Sequence, residues 1–208
     1  MELNLNVLLP RYRLKPKGVI NIGSHYFQER ELFESVGIER FVLIEPQPHA
    51  FKETEKRAVG LNDCLLFNCA VSDKEGTFEM YCDDISVNLG ASSSLLKPEL
   101  HLEKFPHVKF NRTETVNVCK LDNLDFDKTK YDIIFIDVQG NELNTFKGAT
   151  ETLKHIDCIF AEVNFQRLYE DCCLVYELDE FLALHNFVRK ETGRDIGGYS
   201  DAMYLKIK

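Results

Sequence analysis

The chain has 208 residues, 44% of them hydrophobic, which suffices for one sizeable core and demands no second domain. Its formal net charge of −9 argues against a nucleic-acid partner, because such binders need basic surface to displace counterions. Seven cysteines without any C-x-x-C pair read as buried reduced thiols rather than as a disulfide framework or zinc site, and no apolar run reaches membrane-spanning length or follows a secretion-signal pattern; a soluble, cytoplasmic protein is expected.

Residues 1–17 read as an N-terminal extension or linker, and 18–208 as a single domain. The apolar run 18–22 predicts a buried parallel strand, followed by a helix over about 27–37, a strand over 40–45 and a helix over 48–58. Residues 64–71 predict a third strand, completing a βαβαβ unit, and 77–82 an excursion strand. The segment 83–110 reads as a long irregular loop, a length that in compact domains usually serves function. Strands are then expected at 115–119, 131–137 and 156–163, and helices at 142–153 and 175–184. Residues 187–192 and 202–207 are joined by a segment too short for a crossover helix, so they should pair as an antiparallel hairpin. The expected fold is α/β: a Rossmann-like, mostly parallel seven-stranded sheet with helices on both faces and a C-terminal antiparallel hairpin.

The first strand ends at Gly23, where the chain must turn into a helix, and Glu45 follows 22 residues later at the end of the next strand. An acid at that place can accept hydrogen bonds from both ribose hydroxyls. A dinucleotide fingerprint would need glycines at positions 25 and 28, where the chain has His25 and Gln28; a turn carrying these side chains is poorly suited to a pyrophosphate. The expected ligand is a nucleoside without phosphates, S-adenosylmethionine being the common one. Gly23, Ser24 and His25 should line its methionine end, Glu45 its ribose, and Ala70 and Val71 its adenine. Open α/β sheets place ligands at the carboxyl ends of their strands. Two acids end central strands there, Asp137 and Glu162. Asp137 is the first candidate for a base or acceptor-orienting group, Glu162 the second and His25 a third. Helix capping for Asp137, a buried ion pair for Glu162 and stacking on adenine for His25 are the structural alternatives. No metal ligands are assigned.

Several stretches together carry a family resemblance: Ile22-Gly23-Ser24-His25 with Gln28-Glu29, Ile44-Glu45-Pro46, Cys69-Ala70-Val71-Ser72-Asp73-Lys74-Glu75-Gly76, Ser92-Ser93-Ser94, Asp137-Val138-Gln139-Gly140-Asn141-Glu142, Phe146-Lys147-Gly148 and Ala161-Glu162-Val163. In order and spacing they resemble the FkbM family of S-adenosylmethionine-dependent methyltransferases from about residue 18 to the end. The resemblance implies O-methyl transfer to a hydroxyl, often on a sugar or glycosylated small molecule. It adds Asn21, Pro46 and Asp137 to the cofactor-contacting residues, and Ser93, Ser94, Gln139 and Asn164 to the acceptor side. Two amides depart from the family pattern: Asn21 stands where an Asp is usual, and Gln139 where Asp-x-Glu-Gly would have Glu. Phe27 replaces a usual Gly and is expected to add bulk to the cofactor turn. A small-molecule or glycan acceptor is the leading expectation; ribose 2′-O-methylation of RNA, or a degenerate domain that binds cofactor without catalysis, are the alternatives.

Overall fold

The computed structural model describes residues 3–207; Met1 and Glu2 of the expected extension, and Lys208 at the end of the expected domain, lie outside the described residues. Five stretches form the parallel part of the main sheet: β1 (Gly18–Ile22), β2 (Arg40–Ile44), β3 (Asp63–Phe67) at its edge, β7 (Ile133–Ile136) and β8 (Cys158–Asn164). Strands β1, β7 and β8 are buried along their whole length, as parallel strands covered on both faces must be. With β9 (Phe187–Thr192) and β10 (Tyr199–Lys206) they form a seven-stranded sheet in the order β3-β2-β1-β7-β8-β10-β9. The hairpin strand β10 inserts antiparallel between β8 and β9. A small second sheet, β4 (Ala70–Val71), β6 (Phe110–Cys119) and β5 (Gly76–Asp83), runs in the order β4-β6-β5.

Alternation sorts the sheet's side chains into two cores. Ile20, Ile134, Ile159 and Ala202 face α6 (Glu142–Lys147) and α7 (Val175–Leu184). Val19, Phe135, Phe160 and Met203 face α1 (Leu5–Arg11), α2 (Arg30–Ser35) and the end of α3 (Pro48–Ala58). Leu5, Leu8 and Leu9 of α1 are buried in that second core, so this part of residues 1–17 packs on the sheet rather than trailing from it.

Several expectations shift. The strand predicted over 64–71 is two strands in different sheets. Its ladder with β2 stops because Pro46 has no N–H to donate, and Asn68 instead caps the Glu45 and Pro46 carbonyls at 2.8 and 3.1 Å. The helix predicted over 142–153 ends at Lys147, since Gly148 lies so close to the Ser72 carbonyl that a Cβ there would be 2.1 Å from it; a 3₁₀ turn, Thr152–Lys154, follows. The segment 83–110 is not wholly irregular: it holds α4 (Ile85–Asn88) and α5 (His101–Lys104). The helix expected over 27–37 shortens to Arg30–Ser35, because His25 and Phe27 take left-handed backbone angles of φ 46° and 52°. That geometry turns Phe27 into the core, fully buried against Phe33 and Phe41, so its bulk does not enter the cofactor turn. Among the described residues no helix is long and apolar enough to cross a membrane.

Candidate active site

The turn after β1 is pinned from two sides. The N–H groups of Gly23 and Ser24 both donate to the Ile44 carbonyl at 2.9 and 3.0 Å. The Glu45 carboxylate accepts the His25 N–H at 2.9 Å and the Gln47 N–H at 2.8 Å, tying the end of β2 to the same turn. Gly23 sits at φ +77° against the backbone of Asp137, whose N–H donates to the Ile22 carbonyl at 3.0 Å. The first turn and the acid ending β7 are therefore one packed unit.

This unit floors a cavity. Every cofactor-contacting residue expected from the sequence lines it: Asn21, Gly23, Ser24 and His25 from the first turn, Glu45 and Pro46 from the second, Ala70 and Val71 from β4, and Asp137. Asn21 Nδ2 and Ser24 Oγ are buried without protein partners, which leaves an N–H donor for a ligand carboxylate and a hydroxyl that can donate to it or accept from a ligand ammonium. Glu29, quoted in the sequence only as part of a motif, also lines the cavity, and burial raises its carboxyl above the usual range. Three acids, Glu29, Glu45 and Asp137, and no lysine or arginine among the described residues, make the cavity suited to a cationic sulfonium ligand. The donor set thus fits S-adenosylmethionine.

Glu45 is only 3% exposed, and burial pushes its carboxyl up to about 7 against the pull of the two backbone N–H bonds. A carboxyl raised above its unfolded value stabilises the fold when protonated, so that contribution is present at low pH and lost as pH rises through about 7. The expected outcome is a ligand-free melting temperature a few degrees higher at pH 6 than at pH 8, corresponding to roughly 1 kcal/mol. Glu142 and Glu162 add dependence of the same sign, so Glu45→Gln should reduce it by that share and weaken cofactor binding by calorimetry; an unchanged pH profile in the variant would assign the effect elsewhere.

A second cavity adjoins the first, and Asp137 and Gln139 line both. Strand register explains the acids there. Ile136 pairs with Ala161, which sets the next residues, Asp137 and Glu162, side by side; Asp201 on β10 pairs with Glu162 from the other side. Asp137 is accessible where the cavities meet, yet surrounded closely enough that desolvation raises its carboxyl, with Asp201 adding and the Gln139 amide opposing. Glu162 is raised well above the usual range by burial and by the charges of Asp137, Glu142 and Asp201.

Gln139, at φ +53°, places one end of its side-chain amide 2.7 Å from Asp137 Oδ1 and 3.5 Å from Glu162 Oε2, and the other 2.8 Å from Tyr169 Oη. Ser94 Oγ donates to the Gln139 carbonyl at 2.7 Å, so it positions Gln139 and lines neither cavity. Ser93 lines the cofactor cavity and donates to Asp83 at 2.7 Å. Asn164 is buried with both amide atoms unpartnered and lines neither cavity. His25 lines the cofactor cavity alone; its ring nitrogens face the Leu89 carbonyl and Gln28, both at 2.9 Å, so the structure groups Asp137 with Glu162 and leaves His25 apart. Glu142 is the residue sequence reasoning missed. It reads as a helix start, but its carboxylate turns back to accept the N–H groups of Val138 and Gly140 at 3.1 and 3.2 Å, fully buried and raised to about 7 by that burial. The signal available was an acid five positions beyond Asp137, after a glycine that lets the loop reverse.

Comparison with known proteins agrees with this geometry. The profile of the methyltransferase FkbM domain matches residues 21–191. The 2-O-methyltransferase NoeI of Sinorhizobium fredii is 30% identical over 131 residues, which is 61% of this chain and 54% of NoeI; the chain spans about half the length of that relative. Among solved structures, Streptococcus pneumoniae Sp1610 shares the fold at TM-score 0.55 and 12% identity, covering 100% of this chain and 72% of that one. The 1,6-didemethyltoxoflavin-N1-methyltransferase of Burkholderia thailandensis, with bound S-adenosylhomocysteine, does so at TM-score 0.53 and 13% identity, covering 98% and 76%. The seven-stranded sheet, the nucleoside-type cavity and the profile match over most of the chain lead to one conclusion: the protein belongs to the methyltransferase FkbM family.

Proposed function

We propose that the chain methylates a hydroxyl group of a neutral sugar or glycosylated small molecule. The observation that carries this reading is that the cofactor cavity and the second cavity meet at Asp137 and Gln139, so an acceptor in the second cavity lies next to the methyl source. The lining of that second cavity supports the acceptor class. Asp137, Glu162 and Asp201 can accept hydrogen bonds from hydroxyls, and Phe105 and Tyr199 add apolar surface for the C–H side of a sugar ring. No lysine or arginine lines it among the described residues, which disfavours phosphate and speaks against the RNA reading. The relative NoeI is named a 2-O-methyltransferase, which supports oxygen as the atom methylated.

S-adenosylmethionine, which Asn21, Ser24 and Glu45 would hold, would supply an electrophilic methyl on cationic sulfur, the electron pair of the broken carbon–sulfur bond remaining on that sulfur. The residues do the rest. Asp137 or Glu162 takes the hydroxyl proton; their raised affinity for protons brings them nearer the range a general base needs, a contribution of typically 10²–10⁴-fold. Ser94 fixes the Gln139 backbone, and the Gln139 side-chain amide packs against Asp137, which keeps the reacting groups aligned.

The test is incubation with methyl-labelled cofactor and a panel of neutral oligosaccharides, nucleotide sugars and RNA, read by mass spectrometry. Label on a sugar hydroxyl is expected. Label in RNA, or cofactor binding by calorimetry with no transfer to any sugar, would overturn the acceptor assignment.

A further inference from the structure

The acids at the junction of the two cavities are more than a proton acceptor. One carboxylate oxygen from each of Asp137, Glu142 and Glu162 lies within 4.8 Å of the other two. Oxygens that share one hard cation at about 2.0–2.6 Å stand no farther apart than about 5 Å, so this spacing is that of a common coordination sphere. Among the described residues, none of the ion pairs to lysine or arginine reaches any of the three. Glu142 is fully buried, and while its Oε1 accepts two backbone N–H groups, its Oε2 has no partner at all. A buried carboxylate oxygen left bare beside two other carboxylates needs either a proton or a positive partner.

The hydrogen-bond network around Gln139 independently comes up one proton short. Tyr169 Oη lies 2.8 Å from the Ser92 carbonyl and 2.8 Å from the Gln139 amide, yet a phenol has a single proton. The Ser92 carbonyl can only accept, so it takes that proton, and Tyr169 must in turn accept from the Gln139 –NH₂. The two ends of a side-chain amide are told apart only by their partners. With –NH₂ toward Tyr169, the Gln139 carbonyl oxygen is the atom 2.7 Å from Asp137 Oδ1 and 3.5 Å from Glu162 Oε2, an approach that needs either a carboxyl proton or a cation between these oxygens.

We propose that Asp137, Glu142 and Glu162, with the side-chain carbonyl of Gln139 as a neutral fourth donor, form a binding site for a hard divalent cation of the Mg²⁺ or Mn²⁺ class. The donors are all oxygen, which suits Mg²⁺, Mn²⁺ or Ca²⁺ and not zinc or copper. Because Asp137, Gln139 and Glu162 also line the second cavity, the ion would sit where it can hold and polarise an acceptor hydroxyl. That role in the transfer rests on the proposed function; the binding itself does not.

The experiment uses chelator-stripped protein without cofactor or acceptor. Titration with Mn²⁺, followed by the electron paramagnetic resonance signal of the free ion and by calorimetry, should show one ion per chain, displaced by excess Mg²⁺. Glu142→Gln and Glu162→Gln should each weaken binding at least tenfold, and Gln139→Glu, which adds a carboxylate, should tighten it. Circular dichroism and a melting curve check that the variants fold; should Glu142→Gln not fold, Glu162→Gln carries the test. No Mn²⁺ bound at millimolar concentration, or an affinity indifferent to both glutamate substitutions (an adventitious ion only), overturns the site. A weaker Gln139→Glu variant overturns the fourth donor. None of these readouts involves methyl transfer, so failure here leaves the transferase reading standing.

Discussion

Asp137→Asn is expected to lower kcat for methyl transfer by about 10²–10⁴-fold while cofactor still binds. The side chain keeps its shape and its place against Gln139, but an amide cannot take the acceptor's proton. The main-chain packing of residue 137 against the Gly23 turn involves its N–H and carbonyl, which the substitution leaves alone, so the cofactor cavity should persist. Single-turnover kinetics with labelled cofactor, alongside calorimetric titration, separate the two effects. Turnover within about threefold of the parent would sink the assignment of Asp137 as base. The split between lost chemistry and kept binding is what distinguishes Asp137 from Glu45, whose replacement acts on the cofactor.

Gly23→Ala is expected to damage both stability and binding. A Cβ at residue 23 would meet the Asp137 carbonyl oxygen at 1.9 Å, a contact with backbone that cannot swing aside. The left-handed φ of +77° adds about 1–2 kcal/mol for a residue with a side chain, and overpacking about 1–3 more. A loss of roughly 2–5 kcal/mol is a large share of the stability of an ordinary domain. The melting temperature should fall by several degrees and calorimetry should show little or no cofactor binding, because the displaced backbone carries Asp137 with it. An alanine variant that melts with the parent and binds cofactor normally would show that the turn has room that the packing of Gly23 on Asp137 denies.

Much of the site was legible in the chain because the relevant residues follow local rules. Gly23 ends an apolar run, Glu45 ends the next, and Asp137 and Glu162 end two more; in a parallel sheet, strand ends of this kind converge on one edge. The two amide departures were visible too, and Gln139 proved to sit at the centre of the acid group rather than merely lowering its charge. Phe27 was misjudged because its orientation depends on a left-handed backbone angle that composition does not announce. The split of the strand over 64–71 was hidden for a similar reason: the break is made by Pro46 just past the end of the neighbouring strand, not by the residues that break.

The sequence by itself determined the order of elements, the cofactor turn and the carboxyl-terminal acids of the strands, because apolar periodicity and turn chemistry are properties of neighbours along the chain. Only the tertiary structure decided that Asp137, Glu162 and Asp201 stand in register, that Glu142 folds back beneath them, and that one amide joins two cavities. Those relations depend on how strands pair and where loops reverse. A one-residue slip would turn the acids to the opposite face, and nothing local to any of them records which partner lies alongside.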